Sequence, residues 1–398
     1  MNKKISVNAP KGFLFSTIEA AIKKPGRKDL ALIYSEVEAN MAGAFTTNRV
    51  KAAPVRIDMR KIKSGRGQAI IVNSGNANAC RGEQGLRDAN EMAGSVSKGL
   101  HIKPSLVYVS STGVIGSTMP MERIRPAIAE LVSGVGRSSF EDVAAAIMTT
   151  DTFPKIVKKR VRVGDQTGTI AGICKGAGMI CPNMATMLCF ILTDIAVDQK
   201  TLGRTLQEVV KKSFNRLTID GDMSTNDTVL IMANGILGNP PVTEKTEAYL
   251  PFRKALSELT VELAKMIAGD GEGATKYIEV EIKGAKSEAD AEKAALAIAN
   301  SNLVKTAVYG NDANWGRIMA ALGYSGIFFR EELVDLFIGK VKIVDKGLTT
   351  GKDKEAGGIL KNKEVNIVID LHLGKASAKV FTCDLTEEYI RINADYRT

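Results

Sequence analysis

The chain has 398 residues, of which 44% are apolar and 25% charged, and this composition excludes a largely disordered protein. The net charge is +10, but the basic clusters are short and aromatic residues amount to only 5%, which disfavours a nucleic-acid-binding surface. The chain has two histidines, and its five cysteines form no CxxC pair. It therefore has few residues from which to build a His-Cys zinc site or a Ser-His-Asp triad.

The first part of the chain alternates strand-like apolar runs with segments of helical spacing. The runs predicted as strands are bounded by turn residues. The segments predicted as helices repeat their apolar residues every three or four positions, and the third begins with a serine cap and an acidic first turn. The predicted strands cover 30–37, 68–74, 105–111, 157–163, 168–175 and 186–197, and the predicted helices cover 85–100, 121–135, 139–150 and 198–217.

The remaining sequence predicts a further helix over 254–269, followed by a second group of strands and helices. The apolar alternation of 365–374 and 375–385, with a Gly-Lys pair between them, predicts a closing hairpin. We therefore expect a mixed α/β or α+β chain in which one group of elements closes before the other begins. The predicted domains are 1–280 and 281–398.

The sequence also predicts where the protein resides. No secretory signal is recognisable, because Pro10, Lys11 and Glu19 interrupt the apolar residues near the N-terminus. The longest uncharged run, Gly176 to Thr193, is broken by Pro182 and is too short to span a membrane. Cysteines without pairing spacings suit a reducing compartment. We therefore predict a cytoplasmic protein with no membrane or nucleic-acid partner.

The stretch KGAGMICPNMATMLCFILTD, from Lys175 to Asp194, places Thr186 inside an apolar run that follows two glycines and a proline. A threonine hydroxyl is a weak nucleophile that needs a base, and this chain has few histidines to supply one. Cleavage of the Ala185–Thr186 bond would supply it, because the freed α-amino group has a reference pKa of about 7.7–8.0 and can accept the proton. The alternative interpretation is structural: Thr186 is a β-forming residue at the start of a buried strand.

The same stretch resembles the signature of the ornithine acetyltransferases of arginine biosynthesis (glutamate N-acetyltransferases), in which the threonine of Ala-Thr-Met-Leu cleaves its own chain. Further stretches resemble this family in the same order over nearly the whole chain, and several long motifs together are highly specific. They are AGAFTTNRVKAAPV (42–55), IIVNSGNANAC (70–80), SSTGVIG (110–116), TTDTFPK (149–155), TIDGDMSTNDT (218–228), GDGEGATK (from 269), NDANWGRI (311–318) and the C-terminal INADYRT.

The resemblance implies a fold and an activity. The fold is the αββα layered sandwich of self-processing amidase-like proteins, with a smaller C-terminal α/β domain that completes the substrate pocket. The activity is a two-step exchange: N2-acetylornithine acetylates Thr186, ornithine leaves, and glutamate takes the acetyl group to give N-acetylglutamate. No cofactor is implied, although some members also accept acetyl-CoA as acetyl donor. The mature protein would consist of two chains, 1–185 and 186–398, assembled as a heterotetramer with two of each.

The resemblance also implies roles for residues at the matching motif positions. Thr186 is the nucleophile, and Ala185 is the residue before the cut. Thr112 and Gly113 form the oxyanion hole, in keeping with the need of a developing oxyanion for fixed donors. The residues implied in substrate binding are Thr149, Lys175, Thr186, Glu272, Asn393 and Thr398, and no metal ligand is implied.

Two other functions are compatible with these residues. A self-processing amidase or aminopeptidase would use the same nucleophile but pass the acyl group to water instead of an amino acid. A non-catalytic metabolite-binding protein would keep the fold and the buried strand, and it would have no need of Thr186.

Overall fold

The computed structural model describes residues 9–181 and 187–395, and these fall into two compact units. The first unit takes in the described residues of Met1–Gly176, Asn183–Asn215 and Met223–Leu263. The second unit takes in those of Ala177–Pro182, Arg216–Asp222 and Ala264–Thr398. Each unit therefore combines segments that are far apart in the sequence.

The described strands of the first unit form one sheet. Their bounds are β1 Phe13–Ile18, β2 Leu30–Phe45, β3 Arg66–Asn76, β4 Val107–Val114, β5 Lys155–Val163, β6 Gln166–Lys175, β7 Leu188–Thr193 and β8 Thr228–Ala233. Their spatial order is β4-β3-β2-β8-β7-β6-β5, and β1 pairs with β2. The pairs β3–β4 and β7–β8 are parallel. Within each pair, the carboxyl ends of the two strands therefore lie at one edge of the sheet and the amino ends at the other.

This sheet folds back on itself at the long strand β2. The register of β2 against β3 is interrupted between Tyr34 and Ala39, and the remainder of β2 pairs with β8. Side chains from both parts of the sheet, such as Ile70 of β3 and Phe190 of β7, meet in a single buried cluster. The strand predicted over 30–37 thus continues to Phe45, because its second part has a partner of its own.

Helices cover the outer faces of this folded sheet. Ile57, Met92 and Ile124, on three helices that precede β5, pack with strands β2 to β4 in a second buried cluster. On the other layer, Gly172 of β6 leaves room for Leu259 of a long helix. The predicted αββα layering is therefore confirmed in the first unit. The helices are α1 Ala53–Lys61, α2 Gly82–Leu100, α3 Met121–Ser133, α4 Phe140–Ala146, α5 Gln199–Lys212 and α6 Tyr249–Gly269.

The second unit is also α/β. Its described strands are β9 Tyr277–Ala285, β10 Asp335–Ile338, β11 Val341–Asp345, β12 Leu348–Thr349, β13 Glu364–Asp370 and β14 Ala376–Cys383, in the order β12-β11-β10-β13-β9-β14. Its helices are α7 Glu288–Ala299, α8 Asn302–Tyr309, α9 Trp315–Gly323, α10 Asp353–Ile359 and α11 Glu387–Ala394. The domain boundary predicted at 280 lies inside β9, and the C-terminal segment of the second unit begins within α6, at Ala264. Within residues 9–181 and 187–395, every helix is too short or too polar to span a bilayer.

The predicted closing hairpin is wrong. Strands β13 and β14 do not pair with each other, because β9 lies between them, parallel to β13 and antiparallel to β14. The amides of Leu373 and Gly374 donate to the carbonyl of Gly284 at 2.7 and 2.8 Å, so the connection crosses the end of β9. A short glycine-containing loop between two alternating runs fits a hairpin locally, but here the pairing partner comes from a distant part of the chain.

Candidate active site

The predicted oxyanion-hole residues Thr112 and Gly113 lie at the end of β4, beside the end of β3. Gly113 has φ +134° and pairs with Gly75. A Cβ at Gly113 would collide with the backbone of Gly75 and Asn76, so glycine is required for both its conformation and its close approach. The end of β4 is therefore a rigid backbone turn.

Buried amide side chains hold this turn from two directions. Asn73 accepts the hydroxyl of Ser111 at 2.6 Å and donates to the carbonyl of Asn76 at 2.9 Å. Asn226 donates to the carbonyls of Ser111 and Ala77 at 2.8 and 2.6 Å. Because these contacts are made directly before Thr112, they fix the direction in which the turn leaves the sheet.

Lys175, a predicted substrate-binding residue, reaches the same turn from β6. It is the last residue of β6 and is only 2% exposed. Its Nζ donates to Oγ1 of Thr112 at 3.3 Å. The structure thus places a buried cation beside the predicted oxyanion hole, and it joins two residues that the sequence assigned to separate tasks.

Asp151 connects Lys175 with Thr149, another predicted substrate contact. Its Oδ1 accepts Nζ of Lys155 at 2.7 Å and the amide of Gly176 at 2.6 Å, and its Oδ2 accepts the amide of Thr149 at 3.0 Å. Burial opposes ionisation of Asp151, but the charges of Lys175 and Lys155, with these hydrogen bonds, lower its pKa to about 2. Asp151 is therefore the anion between two buried lysines.

A second buried carboxyl group, Asp227, lies directly before β8. Its Oδ1 accepts the amide of Met187 at 3.2 Å, and the amide of Thr228 donates to the carbonyl of Met187 at 3.1 Å. Burial raises the pKa of Asp227 to about 8, although the Met187 amide and the charge of Lys175 act in the other direction. Unlike Asp151, this group is largely a neutral acid at pH 7.

In the second unit, the predicted residues Glu272 and Asn393 are in direct contact. Nδ2 of Asn393 donates to Oε2 of Glu272 at 2.9 Å, and the amide of Glu272 donates to the carbonyl of Ala177 at 2.7 Å. A Cβ at Gly178 would collide with the Glu272 carboxylate, which explains a glycine at this position. The glycine-rich stretch before Cys181 is therefore shaped around Glu272.

Asp220 holds the next part of this stretch. Its carboxylate accepts the amides of Met179 and Ile180 at 2.6 and 2.8 Å, and it also accepts the hydroxyl of Tyr389 at 3.2 Å. Burial raises the pKa of Asp220 against these hydrogen bonds. The carboxylate has a structural task, because it accepts two consecutive amides that would otherwise need other partners.

The structure collects the predicted site residues into two groups, one in each unit. Ala185, Thr186 and Thr398, the predicted cleavage site, nucleophile and C-terminal substrate contact, lie outside the described residues. The first unit brings together Thr112, Gly113, Thr149 and Lys175, and the second brings together Glu272 and Asn393.

Sequence reasoning overlooked four charged residues of these groups, namely Asp151, Lys155, Asp220 and Asp227. All four lie inside the motifs TTDTFPK and TIDGDMSTNDT, which carried the family resemblance. A usable signal was available for Asp227, since it directly precedes the strand TVLIMA, in which every residue after Thr228 is apolar.

The described side chains offer little to hold a metal or a cofactor. Within residues 9–181 and 187–395, no three His, Cys, Asp or Glu side chains are grouped as a metal site would require. Asp151 and Asp220 already accept amide or ammonium donors. That the protein works without a metal or a cofactor stays a prediction.

The fold and these side chains define a class of protein. It is a layered α/β protein in which a rigid glycine turn lies beside buried cationic and carboxyl groups. Fixed donors and a cation in a buried site suit a reaction that develops negative charge on an oxygen atom.

Comparison with known proteins identifies the family. The model of the ArgJ family matches residues 14–398. The arginine biosynthesis bifunctional protein ArgJ of Geobacter sulfurreducens is 54% identical over 390 residues, covering 98% of this chain and 99% of that protein. That of Symbiobacterium thermophilum is 49% identical over 395 residues, covering 98% of each. The crystal structure of ArgJ from Bacillus halodurans covers 52% of this chain and 97% of the solved chain, with 45% identity and a TM-score of 0.51. This chain belongs to the ArgJ family, and the predicted family is confirmed.

Proposed function

We propose that this chain is an acetyltransferase of arginine biosynthesis, which moves the acetyl group of N2-acetylornithine to glutamate through an acetyl-Thr186 intermediate. Membership of the ArgJ family favours this function, since the relatives are named arginine biosynthesis bifunctional proteins. The observation that carries the proposal is the contact of the buried Lys175 with Thr112, beside the Gly113 turn. This contact supplies charge and fixed donors where acyl transfer needs them.

The proposed reaction begins with cleavage of the chain. Oγ of Thr186 attacks the carbonyl carbon of Ala185, the peptide bond breaks and an ester forms. Water then hydrolyses the ester, which leaves a carboxylate on Ala185 and an α-amino group on Thr186. This amine is the base that the chain otherwise lacks, and its reference pKa of about 7.7–8.0 leaves part of it neutral near pH 7.5.

Acetyl transfer then proceeds in two steps. The neutral amine takes the Oγ proton while Oγ of Thr186 attacks the acetyl carbon, and the oxyanion forms at Thr112 and Gly113. Since Oγ1 of Thr112 accepts a hydrogen bond from Lys175, its own proton is available to the oxyanion. The C–N bond to ornithine breaks, and the amine proton goes to the departing nitrogen. Glutamate reverses these steps and leaves as N-acetylglutamate.

The substrates are amino acids, so the site must bind a carboxylate and a charged or neutral amine. We assign substrate binding to Thr149, Lys175, Glu272, Asn393 and Thr398 together with Thr186. The cation of Lys175 suits a carboxylate or the oxyanion, and the acid of Glu272 suits an ammonium group. The proposal includes acetyl-CoA as a further acetyl donor, a heterotetramer of two 1–185 and two 186–398 chains, and a cytoplasmic location.

Replacing Glu272 by glutamine is expected to lower kcat/KM for glutamate by about 10- to 100-fold while cleavage stays normal. Glutamine keeps an oxygen for Nδ2 of Asn393 but removes the charge, and a hydrogen bond to a charged group is worth about 1.5–3 kcal/mol. Steady-state kinetics on the cut enzyme measures the change. Glu281→Gln on β9 is the control, with parental kinetics expected. Near-parental kinetics of Glu272→Gln would reject the assigned role.

Intact mass spectrometry before and after brief exposure to N2-acetylornithine tests the proposed function. We expect two chains that end at Ala185 and begin at Thr186, with one acetyl group added to the second chain. Chains that are cut and acetylated, but that release acetate and form no N-acetylglutamate when glutamate is added, would indicate the amidase. A folded chain that remains uncut and without adduct would indicate the non-catalytic metabolite-binding protein.

A further inference from the structure

Asp151 and Lys155 form a buried ion pair that the proposed chemistry leaves without a task. Both side chains are 0% exposed, and Nζ of Lys155 lies 2.7 Å from Oδ1 of Asp151. Taking two charges out of water is costly, and an apolar pair of similar volume often stabilises a fold equally well. Stability of the fold is therefore a weak reason for this pair, and its contacts indicate another.

The first contact of Asp151 fixes the backbone at Thr149. Its Oδ2 accepts the amide of Thr149 at 3.0 Å, and the carbonyl of the same peptide group, that of Met148, accepts a hydrogen bond from the guanidinium group of Arg27. Because a peptide group is planar, hydrogen bonds at both its ends leave it little freedom to rotate. The position and direction of Thr149 are therefore set from two sides.

The second contact of Asp151 fixes the backbone at Lys175. Its Oδ1 accepts the amide of Gly176 at 2.6 Å, so it holds the peptide group that follows Lys175. The ammonium group of Lys175 is also near, since its charge and that of Lys155 lower the pKa of Asp151 to about 2. One ionised carboxylate thus joins the backbone at Thr149 to the backbone at Lys175, and both residues are assigned to substrate binding.

Lys155 holds this carboxylate in place. It is the first residue of β5, and it pairs with Cys174, which directly precedes Lys175 on β6. Its Nζ also lies 5.0 Å from the centre of the Phe153 ring, a distance at which an aromatic face attracts a cation. Because the backbone of Lys155 belongs to the sheet, its ammonium group fixes the Asp151 carboxylate relative to the end of β6.

We propose that Asp151, held by Lys155, is a positioning residue for acetyl transfer, whose carboxylate sets the spacing between Thr149 and Lys175 so that both contact one substrate molecule. The inference rests on the proposed function in one respect, namely the assignment of Thr149 and Lys175 to the substrate. Asp151 acts through these two residues and needs no contact with the reacting atoms. A carboxylate suits this task because it only accepts hydrogen bonds, and three donors converge on it.

Asp151→Asn is expected to lower kcat/KM for acetyl transfer from N2-acetylornithine about 100-fold, measured per cut chain that accepts an acetyl group. Asparagine has one acceptor oxygen and an NH2 group that cannot accept the remaining donors, so the backbone at Thr149 or at Lys175 must shift. A misplacement of about 1 Å costs about 100-fold in rate. Counting active chains by intact mass spectrometry removes any loss of folded protein from the comparison. A parental kcat/KM per active chain would overturn the proposal.

Asp194→Asn is the matched control. Asp194 is also a buried aspartate whose carboxylate joins two amides, that of Thr169 at 2.8 Å and that of Lys11 at 3.3 Å. Its replacement removes a similar structural link, so it should lower the yield of folded protein but leave kcat/KM per active chain unchanged. An equal loss of kcat/KM in both variants would show a general effect of folding and overturn the positioning role.

A double variant tests whether Lys155 acts through Asp151. Alone, Lys155→Met is expected to lower kcat/KM about tenfold, since the carboxylate loses one hydrogen bond from a charged group. Added to Asp151→Asn, it should lower kcat/KM by less than about twofold, because the carboxylate that Lys155 holds is already gone. Fully additive losses would overturn the role of Lys155.

A second measurement decides the matter if Asp151→Asn fails to fold or to be cut. In parental enzyme labelled with ¹⁵N-glycine and ¹⁵N-threonine, saturation with ornithine should shift the NMR signals of the Thr149 and Gly176 amides. The amide of Thr169, which donates to Asp194, should keep its signal. If either the Thr149 or the Gly176 signal stays unmoved in enzyme that is cut and accepts acetyl, this proposal alone is overturned. A parental chain that stays uncut and without acetyl overturns the proposed function as well.

Discussion

Replacing Thr186 by alanine is expected to leave the chain uncut and to lower acetyl transfer by roughly 10⁴- to 10⁶-fold, since the nucleophile is lost. Only a hydroxyl group at this position can attack the carbonyl of Ala185 and afterwards carry the acetyl group. Thr186→Ser keeps a hydroxyl group, and we expect it to retain part of the cleavage and of the transfer. Intact mass spectrometry over time, followed by assay of N-acetylglutamate, measures both effects.

Thr193→Val is the matched control for this experiment. Thr193 is a buried threonine at the other end of β7, and its Oγ1 donates to the carbonyl of Thr169 at 2.8 Å. The variant loses a buried hydroxyl group from the same strand but keeps Thr186, so it should be cut normally. Cleavage between residues 185 and 186 in Thr186→Ala would contradict the mechanism. Equal loss of cleavage in Thr193→Val would assign the effect to folding of the strand.

Asp151→Asn is expected to lower the free energy of unfolding by about 3 kcal/mol at pH 7. The side chains of Asp151 and Lys155 are both 0% exposed, and their ion pair measures 2.7 Å. Against burial, Lys175 and Lys155 lower the pKa of Asp151 from 3.8 to about 2, which corresponds to roughly 2–3 kcal/mol. Removing one charge of a buried ion pair costs about 3–5 kcal/mol. This range and the one from the pKa shift of Asp151 meet at about 3 kcal/mol, which is the expected loss. Urea unfolding in the uncut Thr186→Ala background measures it.

The effect of Asp151→Asn should depend on pH in a defined direction. Because the folded-state pKa lies below 3.8, ionised Asp151 contributes its stability above that pH and loses it as the pH falls through about 2. The unfolding free energies with and without Asp151→Asn should therefore converge on acidification from pH 4 to pH 2. A difference that grows on acidification would contradict this account of the cluster.

Asp227→Asn is the matched variant. It also replaces a buried aspartate, but the pKa of Asp227 is shifted in the opposite direction from that of Asp151. Burial raises the pKa of Asp227 from 3.8 to about 8, so its contribution to the stability of the uncut chain is complete below pH 4 and is lost as the pH rises through about 8. The variant lacks this loss and should become relatively more stable toward pH 8. Glu91→Gln, in an exposed ion pair with Arg125, should leave the unfolding free energy unchanged at every pH.

Most helices and strands of the first unit could be predicted, because the sequence signals for them lie within a few residues of each other. The strand predicted over 168–175 is β6, Gln166–Lys175, and the helix predicted over 139–150 contains α4, Phe140–Ala146. The predicted serine cap of α4 is confirmed, since Ser139 and Asp142 form a reciprocal capping box. Caps, turns and apolar periods depend on residues a few positions apart, so the amino-acid order is sufficient to indicate them.

Pairing partners and buried charges could not be predicted in this way. The runs on either side of Gly374 read as a hairpin, yet β9 separates them, and β2 continues past residue 37 because its second part meets β8. Thr112 and Lys175 are 63 positions apart, and Met187 and Asp227 are 40 positions apart, but each pair is joined by one hydrogen bond. No spacing rule connects such residues.

The sequence by itself determined the family, the α/β class and the motif residues that a self-cleaving acetyltransferase would use, since long motifs in one order carry that information. Only the tertiary structure decided that Lys175 contacts the Thr112 turn, that Asp151 is ionised between two lysines, and that Asp227 is a neutral acid beside the Met187 amide. The physical reason is that protonation and hydrogen bonding depend on burial and on the nearest charges, and these are set by strands that meet from distant parts of the chain.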